Sequence, residues 1–212
     1  GDAVWLAPDE AATFEMKRMP GNRWDVWAEC QGMGVDLVIT PDKGRRKKML
    51  LADMDSTIIQ QECIDELADE AGVGDRVKDI TARAMNGELD FEAALRERVG
   101  LLEGLDEAVI GRVLSTRITH MPGSKVLLAT MKANGAYSAL VSGGFTAFTT
   151  AVAAALGFDE NRANTLLVAQ GRLTGDVGHP ILGKQAKVDA LEGITATLGI
   201  SEADVIAVGD GA

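Results

Sequence analysis

Cysteine is scarce: Cys30 and Cys63 stand far apart with no Cys-x-x-Cys spacing. They suggest neither a disulfide framework nor a zinc knuckle, and a reducing setting is expected. Long apolar runs are missing as well. The longest of helical type, Ala151 to Leu156, falls far short of the roughly 18 residues needed to span a bilayer. No basic segment followed by an apolar core opens the chain, so nothing marks a secretory signal. A cytoplasmic protein with no membrane partner is the expectation. The two histidines, His120 and His179, are isolated from Cys or His partners, and a turn or surface role is expected for each. No internal repeat or low-complexity tract is visible. Positive charge is in short supply, with 21 Lys plus Arg against 32 Asp plus Glu and a net charge of −11.

What is present is ordinary for a globular chain: 212 residues, 46% hydrophobic and 25% charged, enough for one or two domains. The charge is unevenly spread. Residues 1–50 carry 8 basic and 8 acidic groups, as do residues 111–212, whereas residues 51–110 carry 5 and 16. The entire net charge therefore lies in 51–110, a segment that would repel nucleic acid. The one basic cluster, Arg45 to Lys48, is short. A solvated helical face accounts for most of the acidic residues but not for Asp53 and Asp55, which follow an apolar strand.

The pattern alternates strands with helices. Leu50 to Ala52 reads as a buried strand ending at Asp53. Ile64, Leu67, Ala68 and Ala71, then Phe91, Leu95 and Val99, fall at helical spacing between Glu62 and about Leu102, punctuated by glycines. Residues 124–134 read as a helix and Ala136 to Val141 as a strand broken by Ser142-Gly143-Gly144. A helix follows at 146–156, then a hairpin over 165–176 turning at Gln170-Gly171. Residues 184–198 read as a helix with Ala186, Val188, Leu191 and Ile194 on one side, and Val205 to Val208 as the last strand. Such βαβ alternation implies a parallel sheet covered by helices. Before Pro41, Trp24 and Trp27 lie close together and Val35 to Ile39 is strand-like. Pro41 to Lys48 reads as a linker.

Three segments place a polar group directly after a buried strand: Asp53-Met54-Asp55-Ser56-Thr57, Ser142-Gly143-Gly144 and Asp210. In an open parallel sheet ligands bind outside the carboxyl ends of the strands, so these groups are expected to meet. Single aspartates there are ordinary turn or cap residues. Gathered carboxylates repel one another, and a hard divalent cation such as Mg²⁺ resolves that.

Asp53-Met54-Asp55-Ser56-Thr57 resembles the Asp-x-Asp-x-Thr signature of haloacid-dehalogenase-type phosphatases, and Ser142-Gly143-Gly144-Phe145, Lys187 and Val208-Gly209-Asp210-Gly211 resemble that superfamily's later motifs in order. Gln61 to Leu67 and Met85 to Val99 are similar to the phosphoserine phosphatase family. The likeness covers about residues 45–212. It implies an α/β doubly wound parallel sheet with a small helical cap at about 60–118 and a short amino-terminal extension, 1–44, that only loosely resembles a regulatory-type domain. It also implies hydrolysis of O-phosphoserine, the last step of serine biosynthesis, through an aspartyl-phosphate. In that reading Asp53 is the nucleophile and Asp55 the general acid and base. Mg²⁺ is held by Asp53, Asp210 and the backbone carbonyl of Asp55, and Ser142, Gly143 and Lys187 bind the phosphoryl group. Glu62 takes the substrate ammonium and Arg98 its carboxylate, with Met85 and Phe91 on the apolar side.

Bland roles stand beside several of these. Lys187 alone reads as a solvated helix lysine, Phe91 as a core aromatic, Glu62 as a helix-start acid and Cys63 as a small buried residue. Gly178 to Gln185 looks like a nucleotide-binding P-loop, but Gln185 stands where Ser or Thr would hold Mg²⁺ and Pro180 interrupts the loop. Two rivals remain: a related phosphatase or phosphotransferase for another small phosphorylated amino alcohol, and a non-catalytic amino-acid sensor. Asp53 and Asp55 argue against the sensor, because a binder needs no nucleophile. The family motif continues beyond Asp210 with an Asn-Asp pair absent here, and a helix would be needed over Val205, Ile206 and Val208. A longer natural chain is therefore expected.

Overall fold

A computed structural model describes residues 2–210, which fall into two units, Gly1–Arg46 and Lys47–Ala212. Gly211 of the last motif, and the chain end on which the expectation of a longer protein rests, lie outside the described residues. In the smaller unit β1 (Val4–Ala7) and β2 (Ala11–Thr13) pair antiparallel and precede helix α1 (Arg23–Gly32). Arg45 Nη1 donates to Thr13 Oγ1 at 2.8 Å. Val35 to Ile39 is not a strand, contrary to its composition. The Val35 amide is spent on the Cys30 carbonyl at 2.9 Å, closing α1, and β1 and β2 are each other's partners. β-propensity without a ladder partner does not make a strand.

The larger unit is built on a four-stranded parallel sheet in the order β5-β4-β3-β8. Its strands are β3 (Met49–Ala52), β4 (Tyr137–Phe145), β5 (Glu160–Asn164) and β8 (Val205–Val208). Every residue of β3 is buried, as expected of a strand covered on both faces. Alternation divides the core accordingly. Met49, Leu51, Ala139 and Val141 meet Ala190 and Ile194 of α8 (Lys184–Leu198), whereas Leu50, Ala52 and Leu140 face α6 (Ser124–Ala133) and α7 (Thr146–Leu156).

Between β3 and α6 lie four helices: α2 (Cys63–Glu70), α3 (Gly74–Met85), α4 (Phe91–Gly100) and α5 (Ala108–Thr116). Asp90 caps α4 by accepting the Ala93 amide at 2.7 Å. The segment leaves and rejoins the core side by side: Ile59 and His120 form an antiparallel bridge, and Gln61 exchanges hydrogen bonds with Thr119. The hairpin of β6 (Leu166–Ala169) and β7 (Arg172–Val177) is tied to the cap, with Gly104 and Leu105 each bonded to Leu173. Among the described residues no helix is long and apolar enough to cross a membrane.

Two local readings are corrected. β4 does not break at Ser142-Gly143-Gly144; it runs to Phe145 and regains β5 at Asn164 after a register irregularity. On α8 Val188 is 43% exposed, and the inward stripe runs through Lys187, Ala190, Leu191 and Ile194, the i, i+3, i+4, i+7 row. The polar character of Lys187 concealed that row.

Candidate active site

Strand parity builds the site. Asp53 continues the Met49–Leu51 face, the one covered by α8, and Lys187 reaches it there: its ammonium pairs with Asp53 Oδ2. Asp53 Oδ1 accepts the Met54 amide at 2.8 Å, and the Asp53 amide itself donates to Val208 O of β8 at 3.0 Å. Register thus sets the Gly209-Asp210 pair beside Asp53, with Gly209 close enough that a Cβ there would lie 3.9 Å from Asp53 Cβ.

Asp55 is held from two sides. Its Oδ1 accepts the Cys63 amide at 2.9 Å and its Oδ2 the Ser142 hydroxyl at 3.0 Å. Ser142 Oγ in turn accepts the Gly144 amide at 2.8 Å. Gly144 is required by this closeness, because a Cβ there would come within 2.5 Å of Asp55 Oδ2. Burial, the largest influence, pushes the Asp55 carboxyl above its ordinary range, against the Cys63 and Ser142 hydrogen bonds and with a smaller push from Asp53.

Glu62, the residue before α2, is tied back to the Asp53–Thr57 loop by Ser56 Oγ, which donates to Glu62 Oε1 at 2.6 Å. Ser56 reaches it from a left-handed backbone, φ 51°. Burial raises the Glu62 carboxyl; the Ser56 bond opposes this, and Asp55, Asp65 and Asp210 add to it. Arg98 is half-buried, donates from Nε to Ala94 O at 3.2 Å, and faces Asp65 and Glu62. Desolvation lowers its guanidinium below the usual value, against the pull of those two carboxylates.

Phe91 enters a slot between two glycines from different core segments. A Cβ on Gly143 would lie 3.0 Å from its Cζ, and one on Gly183 would lie 3.3 Å from its Cδ1. Met85 is not brought to this group: it ends α3 with 85% of its surface exposed. His179 is placed outside it too, its Nε2 3.2 Å from Arg96 Nη2 on α4. One polar residue of this region has no counterpart in the sequence reading. Asn164 ends β5, is 1% exposed, and bonds both to Gly143 and to Leu182. A polar residue closing a strand was the signal, masked because the whole run Glu160 to Asn164 is mostly polar.

Among the described residues no three carboxylate, imidazole or thiol side chains gather as a metal-ligating set. Register sets Asp53, just beyond β3, near Gly209-Asp210, just beyond β8. Their carboxylates and the backbone carbonyl of Asp55 are hard oxygen donors of the kind that hold Mg²⁺ together with retained waters, so the chemistry of the residues present fits that ion.

Residues 50–212 match the haloacid dehalogenase-like hydrolase family. A phosphoserine phosphatase of Archaeoglobus fulgidus is 45% identical over 186 residues, covering 87% of this chain and 54% of the relative. One from Methanocaldococcus jannaschii is 44% identical over 168 residues, 79% of each chain. Among solved structures, a phospho-aspartyl intermediate analogue of a phosphoserine phosphatase superposes with a TM-score of 0.72 at 43% identity, again over 79% of each chain. The chain spans about half the length of the first curated relatives it matches, 54% and 45%.

Proposed function

The chain belongs to the haloacid dehalogenase-like hydrolases, on their phosphoserine phosphatase branch, and from that premise we propose that it hydrolyses O-phosphoserine to serine and phosphate. The observation that carries this reading is the pairing of two unlike carboxylates. Asp53 lies against the Lys187 ammonium, and Asp55, two residues on, is half-buried, hydrogen-bonded to Cys63 and Ser142, with its carboxyl pushed upward by desolvation. Carboxylates whose environments differ in this way divide the labour of nucleophile and acid.

In the proposed reaction Asp53 attacks phosphorus and the bond from phosphorus to the serine oxygen breaks. Asp55 delivers its proton to that oxygen, which leaves as the serine hydroxyl. Asp55, now a carboxylate, takes a proton from water, whose oxygen attacks the same phosphorus. The bond to Asp53 breaks, releasing phosphate and restoring both carboxyl groups. A Mg²⁺ bound by Asp53, Asp210 and the Asp55 carbonyl would neutralise charge on the nucleophile and the phosphoryl oxygens. With the phosphoryl group in place, Lys187 and the Gly143 amide would donate to those oxygens, and the Ser142 hydroxyl would turn its one proton from Asp55 to them, where fixed donors stabilise the spreading charge. At the other end Glu62, oriented by Ser56, receives the ammonium. Arg98 receives the carboxylate in a fork that lysine cannot reproduce. Phe91 closes the apolar side.

The same reading makes the protein a cytoplasmic enzyme of serine biosynthesis with a small-molecule substrate. The net charge of −11 on residues 51–110 argues against nucleic acid as a partner. Phosphate release from O-phosphoserine, O-phosphothreonine and O-phosphoethanolamine, each with Mg²⁺ and with chelator, tests it. Turnover of phosphoserine well above the others and lost with chelator is expected. Equal or higher turnover of phosphoethanolamine would move the substrate to another phosphorylated amino alcohol, and no release from any would overturn the enzyme reading.

A further inference from the structure

We propose that Asn164 is a positioning residue for the phosphate end of this site, locking the Gly143–Gly144 peptide to the segment that leads into the Lys187 helix. Its amide is fully enclosed, and its three hydrogen bonds go to two core segments far apart in sequence, the end of β4 and the turn that enters α8. Nδ2 donates to Gly143 O at 2.8 Å and to Leu182 O at 3.1 Å, and Oδ1 accepts the Leu182 amide at 2.7 Å. An amide side chain offers two donors and an acceptor, so this one is used in every role it has. An apolar residue would fill the same volume. What the amide adds is orientation.

The orientation matters because of which peptide is held. The Gly143 carbonyl and the Gly144 N–H belong to one rigid plane. Gly144 N donates to Ser142 Oγ at 2.8 Å, and Ser142 Oγ donates to Asp55 Oδ2 at 3.0 Å. Fixing the carbonyl therefore fixes the amide, the hydroxyl and the carboxyl in series. The second arm holds both backbone groups of Leu182, and Gly183 follows as the N-cap of α8, with Lys187 in the helix's first turns. The two glycines that wall the Phe91 ring, Gly143 and Gly183, are thus set apart at a fixed width by one side chain. Asn164 reaches the reacting atoms only through these intermediaries.

The inference rests on the phosphatase reading above, and the test separates the two. In the full-length protein with Mg²⁺, Asn164→Asp keeps the volume and the acceptor but turns the donor edge into oxygen facing two carbonyls. Asn164→Ala removes all three bonds. For both, kcat/KM on phosphoserine and on p-nitrophenyl phosphate should fall together, by at least tenfold. The affinity for inorganic phosphate, measured by calorimetry, should weaken at least threefold, and preference for phosphoserine over phosphoethanolamine should not change. A purely structural role would lower the melting temperature without moving phosphate affinity in the folded protein. Phosphate affinity and both kcat/KM values within twofold of the parent would overturn the proposal, as would a loss confined to phosphoserine. So would failure of both variants to fold, since positioning requires a folded protein. A parent protein that binds phosphate but hydrolyses no ester would refute the phosphatase reading alone, because the calorimetric arm still decides the role of Asn164. A parent that binds no phosphate would overturn both.

Discussion

Arg98→Lys isolates the guanidinium fork from its charge. In place, Arg98 donates through Nε to Ala94 O at 3.2 Å, faces Asp65 and Glu62, and is desolvated. Lysine would still neutralise the two carboxylates, so the cap keeps its charge balance, but it loses the bond to Ala94 and the planar pair of donors aimed at a carboxylate. Breaking a buried, hydrogen-bonded charge pair costs about 2–5 kcal/mol. With the charge retained and the site only half-buried, about 1–2 kcal/mol is the fair expectation, which at 1.36 kcal/mol per decade is roughly 5–30-fold in kcat/KM. Steady-state phosphate release should show that loss on phosphoserine, mostly in KM. Phosphoethanolamine, which has the ammonium and no carboxylate, should change by less than about twofold if no pair is being broken. Equal losses on both substrates would refute the clamp and make Arg98 a support of the cap.

Three further outcomes are expected. Asp53→Asn should abolish turnover while leaving the thermal midpoint close to the parent's, because the amide cannot form the aspartyl-phosphate; steady turnover in protein shown by mass to be free of deamidation would exclude Asp53 as nucleophile. Asp159→Asn should destabilise in a pH-dependent way. Burial alone would raise the Asp159 carboxyl, but the Lys132 ammonium at 2.7 Å and the Ser138 hydroxyl and amide, each at 2.8 Å, outweigh it and hold the carboxyl below its ordinary value. A lowered folded-state pKa gives stability that is present above the unfolded value, about 3.9, and lost as pH falls through the folded one. At pH 7 the substitution should cost about 0.5–1 kcal/mol, or about 1–4 °C in midpoint, and at pH 3 much less; equal shifts at both would refute the linkage. Thiol titration should find Cys30 reactive in the native protein and Cys63 only after unfolding, since Cys63 is 1% exposed and burial pushes its thiol up; similar rates for the two would contradict its burial.

What was legible in the sequence follows from what each residue must satisfy locally. Leu50 to Ala52, Ala136 to Val141 and Val205 to Val208 announce strands because each is a short, mainly apolar run, as strands of a parallel sheet covered on both faces are. Polar residues directly beyond them, Asp53, Ser142 and Asp210, announce the site for the same reason. β5 did not announce itself: Glu160-Asn161-Arg162-Ala163-Asn164 is a strand because β4 lies beside it, not through its own propensity. β1, β2 and α5 are also absent from that reading, although β1 is β-prone and Val109, Ile110 and Val113 of α5 fall at helical spacing, and Val35 to Ile39 shows the reverse error, propensity without a partner. On α8 the apolar pattern points to Val188, whereas the inward row runs through Lys187, whose spacing with Ala190, Leu191 and Ile194 is visible only when a polar residue is allowed on the inner face.

The same distinction separates the parts of the site. Groups proposed for the chemistry, Asp53, Asp55, Ser142 and Lys187, hang from the sheet and its covering helix, whereas those proposed to read the amino-acid end, Glu62 and Arg98, belong to the cap. The cap leaves and rejoins the core through adjacent segments bridged at Ile59 and His120, so the two proposed sets of groups sit on separate pieces of one scaffold. Such an arrangement needs registration between the two pieces. Two of its contacts lie at the site: Ser56 of the Asp53–Thr57 loop donates to Glu62 of the cap at 2.6 Å, and the Phe91 ring of the cap lies against Gly143 and Gly183 of the core. A Cβ on Gly143 or Gly183 would press on that ring, which would have to give by a few tenths of an ångström. Neither pattern nor propensity reveals such contacts: Ser56 and Glu62 meet across an irregular turn with no period to read, and Phe91 meets glycines far along the chain.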